Sequence, residues 1–199
     1  MSNLSIPYPF KKIELPAEIL NHLDKLGAHD EYTLRHSIRV SSLSTLMAKQ
    51  LDYNLGEQIK IAHGAALHDI GKIFIPPEII NKPGKLTTDE FNMMKSHSES
   101  GYRYLEEHGC QDQEVKQIVQ YHHERQDGAG YPYRLKLDLG HVQIVALADV
   151  YDALVSHRPY RSHSLSSEDA LTIIKNGKAG SFPDKYISIL EGILKSPLP

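Results

Sequence analysis

Apolar residues recur at helical spacing along most of this chain, and nowhere do they alternate as a half-buried strand requires. Residues 16–26 have that spacing, and Gly27 is expected to end the helix. In 30–51, Leu34, Ile38, Leu43, Leu46 and Leu51 form an apolar stripe, with Asp30 placed to cap it. A second striped helix is expected over 56–70, stopped by Gly71, with His68 and Asp69 in its last turn. Thr87 and Glu90 make a capping box that opens the next helix, followed by helical stretches over 98–107 and 112–122. Residues 142–156 are apolar on every side, which predicts a buried helix, and 166–176 and 184–195 supply two terminal ones. The fold class is therefore all-α. Residues 1–29 read as an N-terminal arm and short helix, and 30–199 as the main helical domain.

Composition narrows the function classes. A chain of 199 residues with 40% hydrophobic and 24% charged positions can bury one core, and it leaves little room for two domains. The net charge of −3 offers no basic field for polymeric nucleic acid, so an anionic substrate needs a local positive site. Cys110 is the single cysteine, which excludes an internal disulfide and a thiolate metal site. No apolar run reaches membrane-span or signal-peptide length, so a cytoplasmic protein without membrane insertion is expected.

Histidine occurs twelve times and changes this picture. His36, His68 with Asp69, His97, His122 with His123, and Asp149 sit at the ends or inward faces of five expected helices. Mixed imidazole and carboxylate ligands suit Mn, Fe, Co, Ni or Zn better than Mg or Ca. Two such ions about 4 Å apart can activate water for in-line attack on a phosphoester. Each piece also has a plainer reading. A His-Asp pair is often a cap or surface pair, Asp149 could be a hydrogen-bonded core carboxylate, and His122 and His123 could complement a helix dipole. His22, His29, His63, His108, His141, His157 and His163 lack motif neighbours and are read as structural.

The ordered motifs HSIRV, HDIGK, IPPEIINKPGKLT, MKSH, HHERQDGAGYP, ADVYDAL and RPYR resemble the HD-GYP family of bacterial cyclic di-GMP phosphodiesterases, over roughly residues 30–195. The resemblance implies a helical HD fold with two divalent transition-metal ions, iron or manganese first, with nickel, cobalt or zinc as alternatives. His36, His68, Asp69 and Asp149 correspond to ligands of one ion, and Asp69, His97, His122 and His123 to ligands of the other. Asp69 would bridge them, and Lys72 would face the scissile phosphate, its plainer reading being a solvated lysine. The resemblance also assigns substrate contacts to Gly130, Tyr131, Pro132, Arg158 and Arg161. Asp152 would contact a base or support a ligand. It implies hydrolysis of cyclic di-GMP to pGpG or onward to GMP, and a GYP loop that can meet GGDEF-domain partners. Another cyclic dinucleotide such as 3′,3′-cyclic GMP-AMP, a binding module with little turnover, and di-iron oxygenase chemistry are the competing readings.

Two positions depart from the family pattern. Tyr32 stands where the trinuclear branch has a glutamate, four residues before His36 on the same helical face. A neutral phenol is a poor ligand for a divalent ion, so a binuclear centre is expected. Gln143 replaces a frequent arginine.

Overall fold

Asp30 fixes the start of the longest helix: its carboxylate accepts the Thr33 N–H at 2.7 Å, and α2 (Glu31–Gln50) follows. The computed structural model describes residues 15–156 and 164–195. Before α2 comes α1 (Ala17–His29), and after it α3 (Leu55–Leu67), opened by a capping box between Asn54 and Glu57. A 3₁₀ turn (Ile70–Phe74) and the short α4 (Pro77–Ile80) lead to α5 (Thr88–Lys95), whose Thr87–Glu90 capping box forms as the spacing predicts. Then come α6 (His97–Glu107), α7 (Gln113–Tyr121), α8 (Gly140–Val155), α9 (Ser167–Lys175) and α10 (Asp184–Lys195). No strand occurs among the described residues, and the protein is all-α.

Two apolar clusters hold these helices together. The larger joins α2, α3, α8, α9 and α10 through Val40, Met47, Ile61, Ile144, Leu147, Ile174 and Leu190. The smaller joins α1, the end of α3, the 3₁₀ turn, α6 and α7 through Leu23, Leu26, Leu67, Ile70, Leu105 and Val119. Each fully buried Leu or Ile in them contributes about 1.5–3 kcal/mol relative to exposure. As its uniform apolarity predicts, α8 is buried from Val142 through Asp149, which places a carboxylate against the larger core.

Two helix ends differ from the sequence expectation. Helix α1 runs through Gly27 to His29, because Gly27 serves packing: a Cβ there would lie 2.5 Å from Leu34 Cδ2 of α2. Helix α3 stops at Leu67, so His68 caps it and Asp69 lies beyond it, ahead of the 3₁₀ turn. Gly71 is not a left-handed stop. A Cβ on it would sit 1.9 Å from the His97 carbonyl oxygen and 2.6 Å from the Gly101 nitrogen, so this glycine lets the turn touch the α6 backbone. By contrast, Gly109, with φ +78, ends the α6 segment as expected.

No helix among the described residues is long and apolar enough to cross a membrane.

Candidate metal centre

Elements of both clusters contribute to one buried polar site. His36 comes from mid-α2, His68 from the cap of α3, Asp69 from the start of the 3₁₀ turn, and His97 from the first position of α6. His122 and His123 follow the last turn of α7, and Asp149 comes from α8. All seven converge into three overlapping groups whose ligand atoms lie within 4.8 Å of one another: His36–His68–Asp69, His97–His122–His123, and His68–His122–Asp149.

Asp69 lies in the middle. Its Oδ2 faces Lys72 Nζ at 2.7 Å, His68 Nε2 at 3.4 Å and His36 Nε2 at 3.8 Å, while Oδ1 faces His97 Nε2 at 3.4 Å. The two oxygens thus address opposite halves of the site. Asp149 Oδ1 lies 3.0 Å from His36 Nε2 and 3.9 Å from His68 Nε2.

Hydrogen bonds outside the cluster settle which nitrogens point inward. His68 Nδ1 reaches the Ala65 carbonyl at 2.7 Å, His97 Nδ1 the Met94 carbonyl at 2.6 Å, and His122 Nδ1 the Val119 carbonyl at 3.0 Å. A carbonyl only accepts, so each Nδ1 bears a proton; on His97 and His122, which burial holds neutral, Nε2 presents a lone pair. The consequence is unfavourable for bare protein. His97 Nε2 and His122 Nε2 face each other at 3.2 Å, and buried His68 Nε2 has no hydrogen-bond partner. An unsatisfied buried nitrogen costs about 1–3 kcal/mol, whereas bound cations would satisfy all three. The donor set therefore fits a transition metal.

The electrostatics divide the site. Burial pushes the His97 pKa down to about 4 and holds His122 and His123 well below the usual imidazole range. Burial alone would also lower His36, but hydrogen bonds to Asp149 and Asp152 raise it to about 9. Asp69 and Asp149 resist their burial as well. Lys72 and His68 hold Asp69 well below the usual carboxylate range, and His36 does the same for Asp149.

A cavity of about 410 Å³ opens beside the cluster, lined by His36, Asp69, Lys72, His97, His123 and Asp149. Tyr32, stacked on His36 with ring centroids 6.5 Å apart, also lines it, as does Tyr131, stacked on His123 at 4.4 Å. Of the residues expected to contact substrate, Lys72 and Tyr131 reach this cavity; Gly130, Pro132 and Asp152 do not line it, and Arg158 and Arg161 lie outside the described residues. Asp152 stands behind His36: its Oδ2 accepts from His36 Nδ1 at 2.7 Å and from Arg39 Nη2 at 2.9 Å, and its Oδ1 accepts from Arg39 Nε at 2.7 Å. Of its two expected roles, ligand support is the one with contacts. Gly130, expected to contact substrate, packs against backbone. A Cβ there would come within 2.3 Å of the His123 carbonyl oxygen, so the glycine seats the loop on the ligand backbone. Gly128, at φ +78, has the left-handed conformation that a tight loop requires.

Three residues of the site went unnamed in the sequence reading. Fully buried Glu124 accepts the backbone N–H groups of Tyr133 and Leu135 at 2.7 and 2.9 Å, tying down the loop after Tyr131. Arg125 adds a guanidinium to the cavity wall while donating from Nη1 to the His122 and Glu124 carbonyls. Arg39 anchors Asp152. Glu124 and Arg125 lie beside His123 in the HHERQDGAGYP motif and were within reach of a local reading, whereas Arg39 pairs with a residue 113 positions away and leaves no local signal. The structural readings of His22, His29, His108 and His141 agree with their contacts, to Tyr104, the Ile75 carbonyl, the Tyr104 carbonyl and Gln117.

Comparison with known proteins gives the chain a family. The HD domain family profile matches residues 21–183, and the chain belongs to that family. A cyclic di-GMP phosphodiesterase of Pseudomonas aeruginosa is 39% identical over 158 residues, covering 74% of this chain and 38% of the relative. A 3′3′-cGAMP-specific phosphodiesterase of Vibrio cholerae is 37% identical over 154 residues, covering 76% and 35%. Within the HD domain family, the chain is a member of the HD-GYP branch. The solved HD-GYP-type protein Bd1817 of Bdellovibrio bacteriovorus shares the fold, with a TM-score of 0.69 at 24% identity, covering 82% of this chain and 52% of that one. The chain spans less than two fifths of the length of these two curated relatives.

Proposed function

We propose that this chain is a metal-dependent phosphodiesterase that hydrolyses cyclic di-GMP to pGpG or onward to GMP. The observation behind the proposal is the pair of facing lone pairs on His97 and His122, beside the unpartnered His68 Nε2, at the wall of a cavity that also holds Lys72. Similarity to curated cyclic di-GMP phosphodiesterases supports the choice of substrate.

In this reading His36, His68, Asp69 and Asp149 would hold one divalent transition metal, and Asp69, His97, His122 and His123 the second. Asp69 would serve both. Bound metal supplies Lewis acidity that polarises the phosphodiester and lowers the pKa of water. The remaining tasks fall to the chain's own residues. The Asp152 carboxylate, held by Arg39, orients the His36 ring and keeps its Nε2 directed inward. Lys72 places an ammonium on the cavity wall, where it neutralises charge developing on the phosphoryl oxygens. Tyr131 closes the side nearest His123 and shields it from bulk water. Arg158 and Arg161 hold a second phosphate through their guanidinium forks. Tyr32 leaves the count at two metals, iron or manganese in preference to nickel, cobalt or zinc.

Residues 30–199 form the catalytic unit in this proposal, and Leu23 and Leu26 brace it from α1. The GYP loop also exposes Tyr133 and Leu135, which supports its use as a surface for GGDEF-domain partners; co-purification lost on Leu135→Asp would test that.

Anaerobic reconstitution with each metal, followed by product analysis, tests the central claim. Linear dinucleotide or GMP is expected, with two metals per chain by elemental analysis. Cyclic di-GMP left intact beside a working control enzyme would sink the proposal. Similarity to the Vibrio cholerae relative keeps 3′,3′-cyclic GMP-AMP as a second substrate reading, and competing the two dinucleotides in one assay separates them.

A further inference from the structure

Helix α5 is an anomaly in this fold, because none of its residues is buried. It nonetheless has a complete capping box and displays Phe91 and Met93, at 48% and 45% exposure. An exposed phenyl ring gains nothing from the core and leaves apolar area in water. Phe91 is also a wall residue of the catalytic cavity, together with Leu86 and Met94. Its ring centroid lies 6.5 Å from that of Tyr131, which in turn stacks on His123. One aromatic ring therefore separates Phe91 from the metal cluster. Lys95 Nζ stands 5.1 Å from the Phe91 centroid, and a single cation covers only one face of a ring.

Resting on the phosphodiesterase reading above, we propose that Phe91 is the platform on which one purine base of the cyclic dinucleotide stacks while its phosphate lies at the metal cluster. In a nucleotide the base stands one ribose away from the phosphate, which matches a stacking surface one ring removed from the ligands. The remaining face of Phe91 offers a planar π surface at the cavity mouth, and Lys95 on the other increases the ring's attraction for an electron-rich partner. Helix α5 is held by its capping box and by contact with α4 and α6, so the platform is set before substrate arrives.

Steady-state kinetics on cyclic di-GMP with metal-loaded full chain test this, comparing Phe91→Ala, Phe91→Leu and Phe91→Trp with the unmodified protein. Alanine is expected to raise KM on the order of tenfold or more, as loss of base–aromatic stacking does, with a smaller change in kcat. Tryptophan should restore KM to within about twofold of the unmodified value, because any flat ring serves. Leucine separates stacking from apolar bulk, so its KM should resemble that of alanine. Normal KM in the alanine variant, or in the leucine variant, would overturn the platform while leaving the phosphodiesterase reading intact. No turnover by the unmodified protein would reject that reading and the platform with it.

Discussion

The two halves of the metal site are built from the same residue types yet differ in charge. Around His36 stand Asp149 and Asp152, and the imidazole is held protonated with its pKa near 9. Around His97 stand mainly other imidazoles, burial dominates, and the pKa falls to about 4. Carboxylates within 3.0 Å outweigh the burial of His36; His97 has only Asp69 Oδ1, at 3.4 Å. Burial by itself therefore does not predict a histidine's protonation state. The metal-free site is a charge-paired half joined to a half with facing lone pairs, with Asp69 shared between them.

That contrast can be broken most completely at the shared residue. Asp69→Ala should abolish binding of both metals and lower kcat/KM by more than about a thousandfold, since metal-derived charge stabilisation is worth several kcal/mol. Elemental analysis alongside the assay checks it, and two retained metals would contradict the bridging role. Next in size, His97→Gln and His36→Gln should each remove one metal, but different ones. Crystals of the two variants soaked in manganese should show complementary anomalous peaks, and the same peak missing from both would refute two separate halves.

A smaller effect is expected from Asp152→Asn, which touches only the His36 half. Metal affinity there should weaken by about 10- to 100-fold, as for other partners of ligand histidines, with the His97 half unchanged. Titration calorimetry would reveal one weakened site, and two equally weakened sites would argue against independence.

The gentlest probe is pH in the presence of a chelator. His97, His122 and His123 have lowered pKa values, so the unfolded chain takes up protons first as pH falls below about 6.5, the unperturbed value. Stability should drop along that acid limb. His36 has a raised pKa, so its stabilisation is complete below 6.5 and is lost as pH rises through about 9. Thermal melts should therefore show His97→Gln flattening the acid limb and His36→Gln the alkaline one. Identical profiles for the two variants would dissolve the distinction.

Much of this architecture was legible in local sequence. The capping box of Thr87 and Glu90 lies within one turn, and the all-round apolarity of α8 declares its burial without reference to any partner. The seven ligand-type residues could be named because each accompanies a helix end or an inward face, and the structure does bring them together. Contacts between distant segments were hidden. Asp152 is held by Arg39 from 113 positions earlier, and nothing near either residue encodes that pairing. Gly27 and Gly71 misled for one reason: a glycine after an apolar run resembles a helix stop, whereas here each makes room for a neighbouring element. Base contacts were assigned to motif residues, leaving Phe91 unnoticed because an exposed aromatic on a short helix has no periodic signature.

The contact between Gly71 and α6 acts as a spacer of fixed length. Asp69 and His97 belong to different elements, and what holds them 3.4 Å apart is backbone meeting backbone where no side-chain carbon intervenes. A single methyl group inserted at that seam would act as a shim, lifting the first turn of α6 and carrying His97 away from the shared carboxylate. Gly71→Ala would then keep its helices and its His36 half while widening the gap between Asp69 and His97. In this protein the gauge of that gap is set by an atom that is not there.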